Sequence, residues 1–224
     1  MVSVGATVVS RIDPDGRMEL AWDGDRLGLG VCVDFRRVAL RGVAKLALVR
    51  ACGGRGRVVD ATAGLGGDSW LLAGAGCEVL AIERSPLVLR VLADGLQRAS
   101  ADERLSTVAA RIDLREGNAT ELLPTIAGEW SAIYLDPMYP AKRGHALAPK
   151  SIRMVRDAVG DDADADALLR AAAATATGRI VVKRPHGAPS LVCPPDAQFE
   201  SKLVRYDVYL RAGRGFRTLR DRTA

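Results

Sequence analysis

The chain has 224 residues, of which 48% are hydrophobic but only 4% aromatic, so a sizeable core has to be assembled from Ala, Val and Leu. That length fits one domain with a small appendage. No apolar run reaches the roughly 18 residues of a membrane span, and the start of the chain lacks the charged-then-apolar order of a signal peptide. Four scattered cysteines (Cys32, Cys52, Cys77 and Cys193), with no Cys-x-x-Cys pair, and two histidines (His145 and His186) argue against a disulfide framework and against zinc. The expectation is a reduced cytoplasmic protein, monomeric, with no metal and no membrane association. The net charge of +5 is compatible with a nucleic-acid partner without requiring one.

Residues 1–34 read as short strands joined by turns, with Asp13-Pro-Asp-Gly16 and Asp23-Gly24 as turn signals. The spacing of Leu40, Val43, Ala44, Ala47 and Leu48 predicts a helix over 37–51, closed by Gly53-Gly54. From residue 57 strands and helices alternate. Strands are expected at 57–60, 78–83, 112–115, 132–135 and 180–182, with a late strand or hairpin partner at 202–210. Helices are expected from Asp68 or Ser69 to about 75, from Ser85-Pro86 onward with Val88, Val91, Leu92, Leu96 and Ala99 on one face, at 119–126, and over 150–176 with a break at Gly160. Asp164 and Asp166 suit an N-terminal helical turn, and Gly178 closes the region.

This alternation implies an α/β fold, a mostly parallel sheet with helices on both faces. We divide the chain into a small β-hairpin and helix extension (1–52), a main domain (53–212) and a basic C-terminal tail (213–224). Ligands of such sheets bind beyond the carboxyl ends of the strands, at the switch point. Asp60, Glu83, Asn118 and Asp136 all fall at or just after expected strand ends.

The segment Asp60-Ala-Thr-Ala-Gly-Leu-Gly-Gly-Asp68 joins the first of these strands to its helix. Gly64, Gly66 and Gly67 allow close backbone approach to a ligand. Glu83, at the end of the next strand, can accept both hydroxyls of a ribose. The glycine order departs from that of a dinucleotide site, and Asp60 and Asp68 put negative charge where a pyrophosphate would sit. The same carboxylates suit S-adenosylmethionine, with its positive sulfonium and ammonium. Asp60 is the candidate for its amino-acid end, Glu83 for its ribose, and Asn118 for the neighbourhood of the adenine. Asp68 also suits helix capping, and the two roles are compatible.

Residues 134–140, Tyr-Leu-Asp-Pro-Met-Tyr-Pro, place an acidic residue at the end of a buried strand and an aromatic ring between two prolines. Alone this is an ordinary strand exit. Beside the glycine loop it suits holding a planar base: Asp136 and the Pro137 carbonyl would accept from an exocyclic amino group, and Tyr139 would stack on the ring. Tyr134 reads as core. Lys142, Arg143, His145, Lys150 and Arg153 follow the turn, and Lys183-Arg184 ends the neighbouring strand. We expect Lys142, Arg143, Lys150, Arg153, Lys183 and Arg184 to hold RNA phosphates. Both histidines read as surface residues, Arg37, Arg41 and Lys45 as a solvated helix stripe, and Arg211, Arg214, Arg217, Arg220 and Arg222 as a disordered basic tail.

Taken together, Asp60-Ala-Thr-Ala-Gly-Leu-Gly66, Glu83-Arg84, Leu135-Asp-Pro-Met-Tyr-Pro140, Asp164-Ala-Asp166 and Val181-Val-Lys-Arg-Pro185 resemble the ribosomal RNA small subunit methyltransferase J family, in order and over about residues 57–210. The resemblance implies a Rossmann-like class I methyltransferase that uses S-adenosylmethionine, yields S-adenosylhomocysteine, and methylates the exocyclic N2 of a guanine in 16S ribosomal RNA, free or within the 30S particle. It implies cofactor contacts at Gly67-Asp68, Glu83-Arg84, Asn118-Ala119 and Asp136. This chain departs from the family's pattern in having Gly67 where an Arg is usual, and in a shorter N-terminal region around Asp34-Phe-Arg-Arg37. From the residues alone, an adenine N6, a free base or a protein amide are alternative acceptors. A non-catalytic RNA-binding or assembly factor has no need of Asp136, and a nicotinamide oxidoreductase is disfavoured by the loop spacing.

Overall fold

A computed structural model describes residues 7–138, 149–159, 165–175, 178–213, 215, 217 and 218. The chain begins with an antiparallel hairpin of β1 (Val8–Ile12) and β2 (Met18–Trp22). Its turn is held by Asp13, whose carboxylate accepts from the backbone of Asp15 and Arg17 and from the Arg17 guanidinium.

The helix expected over 37–51 does not form as one element. Phe35–Arg37 and Val43–Lys45 are single 3-10 turns, and only Ala47–Ala51 (α1) is α-helical. Gly42 sits at φ 75° between them and Leu46 is extended, so the helical run is broken twice. Arg37, Arg41 and Lys45 are exposed but do not line up as a stripe.

The main sheet then assembles from β3 (Gly56–Asp60), β4 (Cys77–Glu83), β5 (Ile112–Glu116), β6 (Ala132–Leu135), β7 (Arg179–Pro185), β8 (Ala197–Glu200) and β9 (Val204–Leu210). Their order is β5-β4-β3-β6-β7-β9-β8. The first five pair in parallel, and β9 runs antiparallel to both β7 and β8. The helices are α2 (Gly67–Gly74), α3 (Pro86–Ser100), α4 (Ser106–Ala109), α5 (Ala119–Leu122), α6 (Lys150–Val159) and α7 (Ala165–Ala174). The short α4 and the strand β8 had no clear periodicity in the sequence. The helix expected over 119–126 tightens after α5 into a 3-10 turn, Leu123–Thr125, where Pro124 cannot donate to a continuing α-helix. Gly160 and Asp164 lie outside the described residues.

Alternation along the strands divides the core. Val58, Ala132, Tyr134 and Val181 face one layer, packed with Trp70, Leu72, Val88, Val91 and Leu92 of α2 and α3. Val59, Ile133, Leu135, Ile180 and Val182 face the other, packed with Leu168, Leu169 and Ala172 of α7. The α3 start is set by Ser85, whose hydroxyl accepts from the Val88 amide, followed by Pro86 at the first helical position. No helix among the described residues is long and apolar enough to cross a membrane.

The N-terminal segment contributes Val8, Leu20, Val33 and Phe35 to the first layer. Phe35 stacks on Trp70 with ring centroids 4.2 Å apart. Arg98 donates to the Val33 carbonyl at 2.5 Å, and Asp94 accepts from the Met18 amide at 3.2 Å. Gly95 lets this arm approach α3, since a Cβ there would lie 2.4 Å from Val33 Cγ1. Gly95→Ala is therefore expected to destabilise the protein by about 1–3 kcal/mol in urea denaturation; an unchanged midpoint would mean that the arm is not held there in solution.

Candidate active site

The sheet's switch point lies between β4 and β5 on one side of β3 and β6 and β7 on the other. Past Asp60 the chain straddles both sides: Ala61 donates to the Tyr134 carbonyl at 3.0 Å and Ala63 to the Ile82 carbonyl at 3.0 Å. Gly66 has φ 76°, and a Cβ on it would sit 2.4 Å from Leu92 Cδ1, so no other residue fits without displacement. A Cβ on Gly67 would meet nothing within 4 Å, and one on Gly64 only the Thr62 carbonyl oxygen at 4.0 Å. The loop is thus packed at Gly66 and open at Gly64 and Gly67.

Glu83 ties this loop to β4. Its carboxylate accepts from the Gly64 amide at 2.8 Å and from the Ser85 amide at 2.8 Å. Burial raises its pKa, opposed by those backbone donors and by the half-buried Arg84 beside it. The Gly117 amide donates to the Glu83 carbonyl at 3.0 Å, which brings the end of β5 alongside. Asn118 there caps α5, accepting from Thr120 at 3.0 Å, and Ala119 is buried.

Asp60 is 1% exposed; its carboxylate accepts from Ser69 Oγ at 2.5 Å and from the Thr62 amide at 3.2 Å. Burial pushes its pKa up to about 7; the Ser69 bond works against this, and the charge of Asp68 adds to it. Asp68, in the first turn of α2, accepts from Tyr134 Oη at 2.5 Å and from Lys183 Nζ at 2.8 Å. The same ammonium donates to Asp136 Oδ2 at 2.9 Å. The Asp136 amide donates to Thr62 Oγ1 at 2.7 Å, and Pro137 is buried behind it. Burial works against the Lys183 ammonium, yet Asp136 and Asp68 together hold its pKa above the ordinary lysine value.

The structure therefore brings together Asp60, Gly64, Gly66, Gly67, Asp68, Glu83, Asp136 and Pro137, with Arg84, Asn118 and Ala119 at the adjoining strand ends. Tyr139, Lys142, Arg143 and His145 lie outside the described residues. The other basic residues have different employment from the one expected. Lys150 donates to Asp25 at 3.2 Å and to the Leu29 carbonyl at 2.6 Å, and both it and Arg153 sit over the Trp22 ring, so they hold α6 to the hairpin. Lys183 is engaged by two carboxylates. Arg184 is 5% exposed and donates to the Pro189 carbonyl, which secures the loop after β7. The start of the basic tail is docked, with Asp196 accepting from the Gly215 amide at 2.7 Å and Arg217 donating to the Ala212 carbonyl at 2.7 Å. Arg214, Arg220 and Arg222 lie outside the described residues.

Sequence reasoning missed Thr62, Ser69 and the second role of Tyr134, which is core and also a donor to Asp68. The available signal was parity. Tyr134 and Asp136 share one face of β6, and Val181 and Lys183 share the same face of neighbouring β7.

Two other polar clusters are explained by local pairing. Asp13, Glu19 and Cys32 bring ligand atoms within 4.8 Å of one another, but Glu19 accepts from Arg11, Gly28 and Gly30, and Asp13 from its own turn. A cavity of about 500 Å³ along α3 is lined by Arg36, Arg98 and Arg104, each paired with an aspartate: Asp34, Asp94 and Asp102. Its three arginines balance Asp34, Asp102 and Glu103, so it carries no net charge to attract a nucleotide.

An open sheet of this order, with a glycine loop at the switch point and an acidic residue ending the next strand, defines a class I S-adenosylmethionine-dependent methyltransferase fold. The chain belongs to the family described as putative SAM-dependent methyltransferase, whose model matches residues 15–211. It is similar to proteins named ribosomal RNA small subunit methyltransferase J. The one from Stutzerimonas stutzeri (strain A1501) is 52% identical over 69% of this chain and 61% of its own length. The one from Pseudomonas aeruginosa (strain UCBPP-PA14) is 48% identical over 72% of this chain and 62% of its own length. The chain thus spans about three-fifths of the length of these curated relatives. The solved structure of the SAM-dependent methyltransferase NGO1261 from Neisseria gonorrhoeae is similar with a TM-score of 0.68 and 36% identity, covering 88% of this chain and 80% of that one. The resemblance read from the sequence motifs is borne out.

The buried Asp60 makes stability depend on pH. Its folded pKa of about 7 lies above the ordinary aspartate value of 3.8, so between these limits the folded state holds a proton that the unfolded state has released. Its contribution therefore falls as pH rises through that window and is flat above it. Asp60→Asn should flatten the unfolding free energy between pH 5 and pH 8 relative to the parent, by roughly 2–4 kcal/mol. Parallel curves for the two proteins would show that Asp60 is not held neutral.

Proposed function

We propose that the protein transfers a methyl group from S-adenosylmethionine to the exocyclic N2 of a guanine in small-subunit (16S) ribosomal RNA. The observation that carries this is the position of Asp136, an acceptor carboxylate at the end of β6, clamped to the glycine loop by Thr62 and to α2 through Lys183. The names of these curated relatives support the choice of RNA.

The residues at the switch point fit the cofactor. Open space at Gly64 and Gly67 lets a ligand approach the backbone, and the acidic surroundings match a cation rather than a pyrophosphate. Asp60 and Asp68 would hold the amino-acid end, Glu83 and Arg84 the ribose edge, and Asn118 and Ala119 the adenine side. When bound, S-adenosylmethionine supplies an electrophilic methyl on a positively charged sulfur.

An exocyclic amine conjugated to a purine is planar and weakly nucleophilic. Asp136 and the Pro137 carbonyl accept its N–H hydrogens, turn the nitrogen toward the loop and raise its electron density. Positioning then supplies most of the rate, and Tyr139 stacks on the displaced base. Lys142 and Arg143, directly after the acceptor turn, are our choice for phosphate contacts.

Methyl transfer to small-subunit particles and to naked 16S RNA tests the reading, followed by mapping of the modified nucleotide. Asp136→Ala is expected to lower turnover about 100-fold or more while circular dichroism stays unchanged. Turnover near that of the parent contradicts the role of Asp136. A methyl group on adenine N6 contradicts the proposed acceptor.

A further inference from the structure

We propose that Lys183 is a positioning residue, fixing the acceptor carboxylate of Asp136 against the cofactor-loop carboxylate of Asp68 so that one group sets the other. The proposal rests on the acceptor role given to Asp136 above. Lys183 reaches from β7, while Asp68 lies on α2 and Asp136 just beyond β6, so one ammonium joins three elements. The far end of the bridge is fixed too, because Tyr134 donates to the same Asp68 oxygen that Lys183 holds. Asp136 is held at two points, its backbone by Thr62 and its Oδ2 by Lys183. A carboxylate has about four lone-pair sites, more than the Lys183 contact takes.

Charge gives the bridge a second consequence. Lys183 faces Asp68 from α2, Asp136 just beyond β6 and Tyr206, its partner on β9; around the two aspartates lie Asp60 from β3 and Tyr134 from β6, and beside Tyr206 lies Cys52 after α1. Burial raises the pKa of Tyr134, Tyr206 and Cys52, and nearby aspartates add to it, so these three stay neutral near pH 7. Among the described residues, what remains is a set of aspartates around the Lys183 ammonium. Without that ammonium, like charges at short range favour retention of a proton among them. A protonated Asp136 would present an O–H donor where the amine needs an acceptor. Lys183 thus keeps the acceptor ionised as well as in place.

The experiment is the pH profile of methyl transfer to small-subunit particles for the parent, Lys183→Met and Lys183→Arg, over pH 5.5–9. Lys183→Met should lose about 10-fold or more of kcat at pH 7, regain several-fold toward pH 9, and keep its KM for the particle, a shift of about one unit or more in the acid limb. Lys183→Arg should restore the parent's acid limb. An acid limb for Lys183→Met that coincides with the parent's overturns the proposal, since a purely structural role would lower turnover equally at every pH. A second readout needs no RNA: carboxylate NMR of aspartate-labelled protein, parent against Lys183→Met, with Lys183→Gln replacing the latter if it does not fold. One site aspartate should titrate higher in the variant, and unchanged titrations overturn the proposal. If the parent methylates no particle while that titration still shifts, the acceptor reading fails and the Lys183–aspartate coupling stands.

Discussion

Like charges converge at the carboxyl ends of β3 and β6, and the rest of the site is arranged around that fact. Parallel pairing sets Asp60 beside Tyr134, the first turn of α2 brings Asp68 over the Tyr134 hydroxyl, and the exit of β6 brings Asp136 to the same mouth. Each carboxylate is handled differently. Asp60 is buried and drawn toward its neutral form, with Ser69 as donor. Asp68 and Asp136 share the Lys183 ammonium. The concentration of acid is costly to a protein with nothing to bind there, and suits one whose ligand brings a sulfonium and an ammonium.

The glycine loop works within this constraint because it is rigid on one side and open on the other. Gly66 is pressed against Leu92, with Phe35 and Trp70 stacked beneath, so the N-terminal arm supports the loop from below. Glu83 fixes the loop's upper edge through the Gly64 amide. The hairpin in turn is kept in place by α6, through Lys150 to Asp25 and through Trp22 Nε1, which donates to Asp157 at 2.8 Å. Basic residues that looked available for RNA are thus part of the support. Their long stems and fixed charges do as much for packing as for any phosphate.

The alternating half of the fold was legible from sequence because each strand carries a short apolar run and each following helix a cap. Ser85-Pro86, Asp60 and Glu83 were readable for that reason, and so was the strand ending at Asp136. The region 37–51 differs from its expected single helix because its apolar spacing is helical while Gly42 and Leu46 interrupt the backbone. Periodicity reports which side chains are buried, not whether they are buried by one element or three. Lys183 was assigned to RNA because a lysine at a strand end next to the acceptor turn has two equally available partners, a phosphate or a neighbouring carboxylate. Only the positions of α2 and β6 decide between them, and those are set by contacts distant in sequence. Arg184 shows the converse: next to Lys183 in sequence, it points to the other face of β7 and is buried.

In the proposed mechanism one site joins a cofactor half at Gly64–Asp68 and Glu83 to an acceptor half at Asp136. A crystal structure with S-adenosylhomocysteine bound tests it most directly. The ribose hydroxyls are expected on the Glu83 carboxylate, the amino-acid end at the loop between Asp60 and Asp68, and the sulfur facing Asp136. A nucleoside bound instead in the arginine-lined cavity along α3, or bound at the loop with its sulfur turned away from Asp136, would contradict it.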